Sequence, residues 1–165
     1  MPALCEGPAL RKSLAGGGDL RRHERVNAAA MTVEEILALL RAGFPLWDQG
    51  GVAIENAAYR ACRLRLAFHG RHLRAGGTVN GPTMFMLADT ALFVAVLASV
   101  GPKPLAVTTN MSINFFRKPA PKDLIAKCRL LKLGKRLAVG EVFLYSDGDE
   151  EEAVAHATGT YSIPA

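Results

Sequence analysis

From Pro82 to Val100 the chain is apolar on nearly every side of a helical projection, and Asp89 is the only ionisable side chain in the run. Such a helix needs cover all round, which places it at the centre of a fold. Elsewhere the pattern changes period. Thr32 with Glu35 three residues on forms a capping box, and Ile36, Leu37, Leu39 and Leu40 give one apolar face before Gly43 and Pro45 stop the helix. Residues 51–56 read as a short apolar strand. Cys62, Leu64, Leu66 and Phe68 alternate with Arg63 and Arg65, as in a strand wet on one face. Beyond the long helix, residues 105–116, 123–133, 138–145 and 153–163 carry β-branched or alternating patterns between turns at 118–121, 133–135 and 146–148. Asp147-Gly148 in the last turn supplies the positive φ of a tight hairpin. This order predicts an α+β domain in which one curved antiparallel sheet wraps a long central helix, with a second subunit supplying the remaining cover.

Residues 1–30 show neither helical nor strand periodicity and contain the Gly16-Gly17-Gly18 triplet, so they read as a flexible extension ahead of a domain spanning 31–165. A chain of 165 residues, half of them apolar, makes one domain with an adequate core. Its formal charge of +5 and pI near 9.4 favour an anionic partner. The interleaving of basic and aromatic residues used for nucleic acid is missing, and no helix reads as a cationic membrane binder. The central run falls short of the usual ~20 apolar residues of a membrane span and holds an acid, so a buried helix is expected. Cys5, Cys62 and Cys128 are odd in number and far apart in the sequence, which suggests neither a disulfide framework nor a zinc site and makes the cytoplasm the expected compartment.

The segment around the helix start, Gly77-Thr-Val-Asn-Gly-Pro-Thr-Met-Phe-Met-Leu-Ala-Asp89, resembles the signature of the hotdog-fold acyl-CoA thioesterases of the PaaI-like family. Gly77, Gly81, Leu87 and Asp89 match that signature in register, and 107–115 looks like the strand that follows it. The similarity covers about 31–164. Arg74 stands where the family has Asn, Asn80 where it has His, and Pro82 where it has a second Gly. Asn80 cannot titrate near neutrality, which excludes it as a proton carrier. Pro82 suits a first helical turn.

The resemblance implies a hotdog fold, hydrolysis of acyl-CoA thioesters to free acid and CoA, and a carbonyl polariser at Gly81. The residues themselves allow that chemistry. A helix N-terminus offers free N–H groups and a positive dipole end, so Gly81 N–H, with Asn80 in support, can stabilise an oxyanion. Asp89 would attack the thioester or activate a water. Thr108 would orient that water.

Eight positions separate Gly81 from Asp89, about 12 Å along one helix, so one carbonyl cannot touch both groups of a single chain. A site using both is shared between subunits, in a homodimer or a dimer of dimers. Arg117, Lys118, Lys132, Lys135 and Arg136 belong to a basic stretch able to hold the phosphates of coenzyme A, which enters as part of the substrate. No metal or separate cofactor is expected.

Plainer readings compete. Asp89 can be a structural carboxylate capping a neighbouring backbone, Asn80 a simple N-cap, the basic stretch a solvated face, Thr108 ordinary strand composition, and Met84, Phe85, Met86 and Phe93 core, with part of that cluster able to line an acyl pocket. His69 and His72 read as surface histidines, and the acidic tip 147–152 as solvated. A non-catalytic acyl-CoA or acyl-carrier binder is the rival function, made credible by the loss of His at Asn80. A hotdog hydratase or dehydratase stands further off, because that chemistry uses the missing His.

Overall fold

Thr32 and Glu35 cap each other's backbone, with Glu35 N donating to Thr32 Oγ1 at 3.2 Å and Thr32 N to Glu35 Oε2 at 2.8 Å. They open α1, Val33–Gly43, which turns Ile36 and Leu40 into the core. This computed structural model describes residues 28–165. The expected extension 1–30 therefore lies outside the described residues up to 27. Ala30 N donates to Ala98 O at 2.7 Å and Met31 is buried, so the chain is already tied to the core where that extension was expected to end.

β1 (Val52–Ala58) and β2 (Ala61–Leu66) form an antiparallel pair. A small hairpin, β3 (Leu73–Arg74) and β4 (Thr78–Val79), leads into α2, Gly81–Val100. Then come β5 (Val107–Phe115), β6 (Leu124–Leu133), β7 (Leu137–Ser146) and β8 (Ala155–Ser162). Six of these strands make one sheet in the order β1-β2-β6-β7-β8-β5. Every neighbouring pair is antiparallel, and α2 lies across one face in contact with all six. This is the hotdog arrangement.

Helix and sheet approach tightly at two glycines. Gly140 and Gly159 oppose each other on β7 and β8, and a Cβ on either would stand 2.6 Å from a Leu92 methyl. Only the missing side chains let Leu92 seat against the sheet.

The cover around α2 is incomplete. Pro82, Phe85 and Met86 are exposed and Asp89 and Thr90 half-buried, a stripe at helical spacing along one side. Phe85 and Met86, each 40% exposed, are therefore not the core residues that composition suggested. Beside the stripe runs β5, the sheet's edge strand, with Val107, Phe115 and most of its polar side chains exposed.

Cys62 and Cys128, far apart in sequence, face each other across β2 and β6 as buried free thiols. The contact with Cys128, then burial, pushes the Cys62 thiol well above its ordinary range. The acidic tip is not simply solvated either. Glu150 pairs with Arg63 and Lys127, Asp147 with Arg65, and Asp149 and Glu152 with Arg117, because strand register brings distant cations to the outer face.

Candidate functional site

At the start of α2, Asn80 is an N-cap in extended conformation whose Oδ1 accepts from Thr83 N at 2.9 Å. Its Nδ2 donates to His72 O at 2.8 Å, and its backbone N donates to the same carbonyl. The Asn80 amide is thus engaged at both ends, the plain capping reading. The Gly81 N–H next to it has no acceptor among the described residues and remains an orphan donor at the positive end of the helix. Pro82 occupies the first turn without costing a hydrogen bond.

His72, expected at the surface, is 6% exposed. It ends a 3₁₀ turn, Gly70–His72, and its Nδ1 accepts from His69 N at 3.2 Å. Burial first, then the Arg71 charge, lowers its imidazole below the ordinary value. The carbonyl of this buried residue is what holds Asn80.

About two helical turns further on, Asp89 is neither unpaired nor deeply buried. Its Oδ1 accepts from Thr108 Oγ1 at 2.6 Å and from the Tyr161 hydroxyl at 2.8 Å, and Tyr161 also reaches Asp89 O at 3.1 Å. Oδ2 has no partner among the described residues. Charge-assisted bonds to one oxygen fix the carboxylate and leave the other free to act. The Thr108 proton goes to Asp89, so this hydroxyl meets a water only as an acceptor.

Sequence reasoning missed Tyr161, which is 72 residues from Asp89. Register explains its place, since Thr108 and Tyr161 are direct partners across β5 and β8. A tyrosine among the small inward positions of 155–161 was the available signal. Burial raises its phenol far above the ordinary range, so it acts as a permanent donor.

Asp89, Thr108 and Tyr161 line a cavity of about 790 Å³ whose other walls are mostly apolar, among them Trp47, Met86 and Phe93. Gly81 belongs to a different recess of about 430 Å³, lined also by Arg74, Phe115, Arg117 and Lys118. Within one chain the two cavities share no lining residue, and Met86 of the first reaches Gly81 only along a shallow apolar groove with Phe85 and Phe115. Arg74, the residue that replaces the family's Asn, donates from Nε to Thr78 Oγ1 at 3.1 Å across the β3–β4 hairpin. Arg117 is paired with Asp149 and Glu152, yet its sealed Nε finds no acceptor. Lys118 has no ion-pair partner among the described residues. Lys132, Lys135 and Arg136 lie at the β6–β7 turn, at the other end of the sheet from Arg117 and Lys118.

A model of the thioesterase superfamily matches residues 76–153, which contain the α2 start, Asp89 and Thr108. The chain is 31% identical to a Halobacterium salinarum protein named as a "putative esterase", over 68% of this chain and 80% of that one. It resembles the crystal structure of a "putative thioesterase" from Silicibacter sp. TM1040 at 43% identity and TM-score 0.74, covering 86% of this chain and 97% of that one. A mutant of the phenylacetic acid degradation protein PaaI from Thermus thermophilus is also similar, at 26% identity and TM-score 0.64, with 73% and 99% covered.

Proposed function

The chain belongs to the thioesterase superfamily, and on that premise we propose that it hydrolyses acyl-CoA thioesters to free acid and CoA at two sites, each shared between the subunits of a homodimer. The observation that carries this reading is the pair of unfinished half-sites. Among the described residues, Asp89 Oδ2 has no partner in a mostly apolar cavity, and Gly81 N–H has none in a separate recess of the same chain.

Two features support the join. The uncovered stripe of α2 and the exposed edge strand β5 lie side by side, and an unpaired edge seeks another strand. Asp89 is bonded to Thr108 near the start of β5, whereas Gly81 packs on Phe115 at its end. Antiparallel pairing of β5 with its copy sets the start of one against the end of the other, and so brings Asp89 of one chain toward Gly81 of the next.

In such a site the thioester carbonyl oxygen accepts from Gly81 N–H, and Asp89 Oδ2 lies on the other side of the carbonyl carbon. By the base route, Oδ2 takes a proton from water as the oxygen adds to the carbon. The oxyanion collapses, expels the CoA thiolate, and the thiolate takes the proton. By the nucleophilic route, Oδ2 itself adds, an acyl–aspartyl anhydride forms as thiolate leaves, and water then cleaves it. Arg117 and Lys118, beside Gly81, suit the anionic part of the CoA leaving group. Lys132, Lys135 and Arg136 stand far from them in one chain, but the same antiparallel pairing would set them toward a neighbour's Arg117 and Lys118.

The test is thiol release from an acyl-CoA panel by the native protein and by Asp89→Asn. Turnover that disappears in the variant while acyl-CoA still binds supports hydrolysis. Tight binding by the native protein with no turnover would establish the binder instead, and hydration of an enoyl-CoA without thiol release the hydratase.

A further inference from the structure

The cavity lined by Asp89 bears on which acyl group the site takes, an inference that rests on the hydrolytic reading above. Among the described residues Asp89 is the only charged side chain facing it, and none of them brings a cation to its walls. A second carboxylate, carried by the acyl group, would meet a like charge in apolar surroundings without a partner. Aromatic rings form a connected wall. Phe93 stacks on Tyr161 at 5.9 Å and 16°, and meets Phe44 edge-on at 6.4 Å and 75°. The wall thus runs from the hydroxyl that holds Asp89 out to the end of α1.

There the chain adds more apolar surface than the fold uses. Ile36 and Leu40 anchor α1 in the core, yet Phe44 is 51% and Leu46 67% exposed, and both line the cavity with Trp47. Large apolar side chains left open to a cavity are covered when an apolar ligand fills it. Its volume of about 790 Å³ is far beyond an acetyl group and falls within the roughly 300–1,000 Å³ of sites that enclose drug-sized ligands.

We propose that α1 and the turn after it, residues 44–47, form an acyl-selectivity wall, and that the acyl group is an uncharged apolar one of medium length, bulky enough to reach Trp47. Short acyl groups leave the wall empty, and dicarboxylic ones are repelled.

The experiment measures CoA release from acetyl-CoA, octanoyl-CoA and succinyl-CoA by the native protein and by Trp47→Ala, Phe44→Ala and Phe44→Arg. Native kcat/KM for octanoyl-CoA should exceed the other two by at least about tenfold. Either alanine variant should cut the octanoyl-to-acetyl preference by about tenfold, mainly through KM. Phe44 is half exposed, so its replacements keep the fold even where Trp47→Ala does not. Phe44→Arg should raise succinyl-CoA relative to octanoyl-CoA. Equal native rates on the three substrates, or an unchanged preference in the Phe44 variants, overturn the wall and leave hydrolysis standing. If none of the three is cleaved, the hydrolytic reading falls and calorimetric binding decides: a preference for octanoyl-CoA upholds the wall, and equal affinities overturn it.

Discussion

The two ends of the α2 half-site region are built on opposite plans. At the turn, Asn80 closes on Thr83 and on the carbonyl of buried His72, and the group left without a partner among the described residues is a backbone amide, Gly81 N–H. At Asp89 a side chain is left open, because Thr108 and Tyr161 both bond Oδ1 and neither bonds Oδ2. The turn is held by local hydrogen bonds within one stretch of chain; the acid is held by partners from β5 and β8. A rigid donor and a rigid acceptor, each complete except for the atom it would present, are what preorganised electrostatic catalysis requires.

Changes at the acid should cost most. Asp89→Ala removes the base or nucleophile and should lower kcat by about 10²- to 10⁴-fold in a steady-state assay while acyl-CoA still binds. Tyr161→Phe keeps the ring that stacks on Phe93 and deletes one charge-assisted bond, so a fall in kcat of about ten- to a hundredfold is expected, with Tm barely moved. A larger loss in Tm than in kcat would make Tyr161 a packing residue.

Changes at the turn should appear first in stability. Asn80→Ala removes the cap and should cost about 1 kcal/mol in denaturant unfolding, with turnover falling as Gly81 N–H loses its fixed aim. Unchanged stability with lost turnover would instead make the amide a direct oxyanion donor.

The smallest effect is acid sensitivity. Burial holds His72 below its unfolded value of 6.5, so its contribution to stability is present above that pH and is lost as the pH falls through the folded value. Tm measured downward from neutrality should begin to drop below pH 6.5, and His72→Asn, which keeps an acceptor for His69 N–H, should flatten that first step. The Arg63 bond holds Glu150 at about 2, so its share has the same sign and is lost only between 4.5 and 2.

Periodicity made the architecture legible. The Pro82–Val100 run and the alternation in each later strand correspond to α2 and to β5 through β8 within a few residues. Asp89, Gly81 and Thr108 could be singled out because each follows from chain-local physics or a matched motif. Tyr161 could not, since its partnership with Asp89 exists only after β8 registers with β5. His72 escaped for a related reason: a 3₁₀ turn carries no apolar period, so nothing along the chain marks that side chain as buried. The ion pairs of the acidic tip join residues such as Arg63 and Glu150, which only the folded sheet brings together.

The shared site is tested most directly by mixing two inactive chains. Asp89→Ala lacks the acid, and Gly81→Pro lacks the amide hydrogen at a first-turn position whose backbone suits proline, with the exposed Phe115 ring shifting to admit the new side chain. Unfolded together in equal amounts and refolded, half the dimers should be mixed, each with one intact site and one doubly defective site, so about a quarter of native turnover should return. A mixture as inactive as either parent, with mixed dimers demonstrably present, would mean that acid and amide serve the same chain.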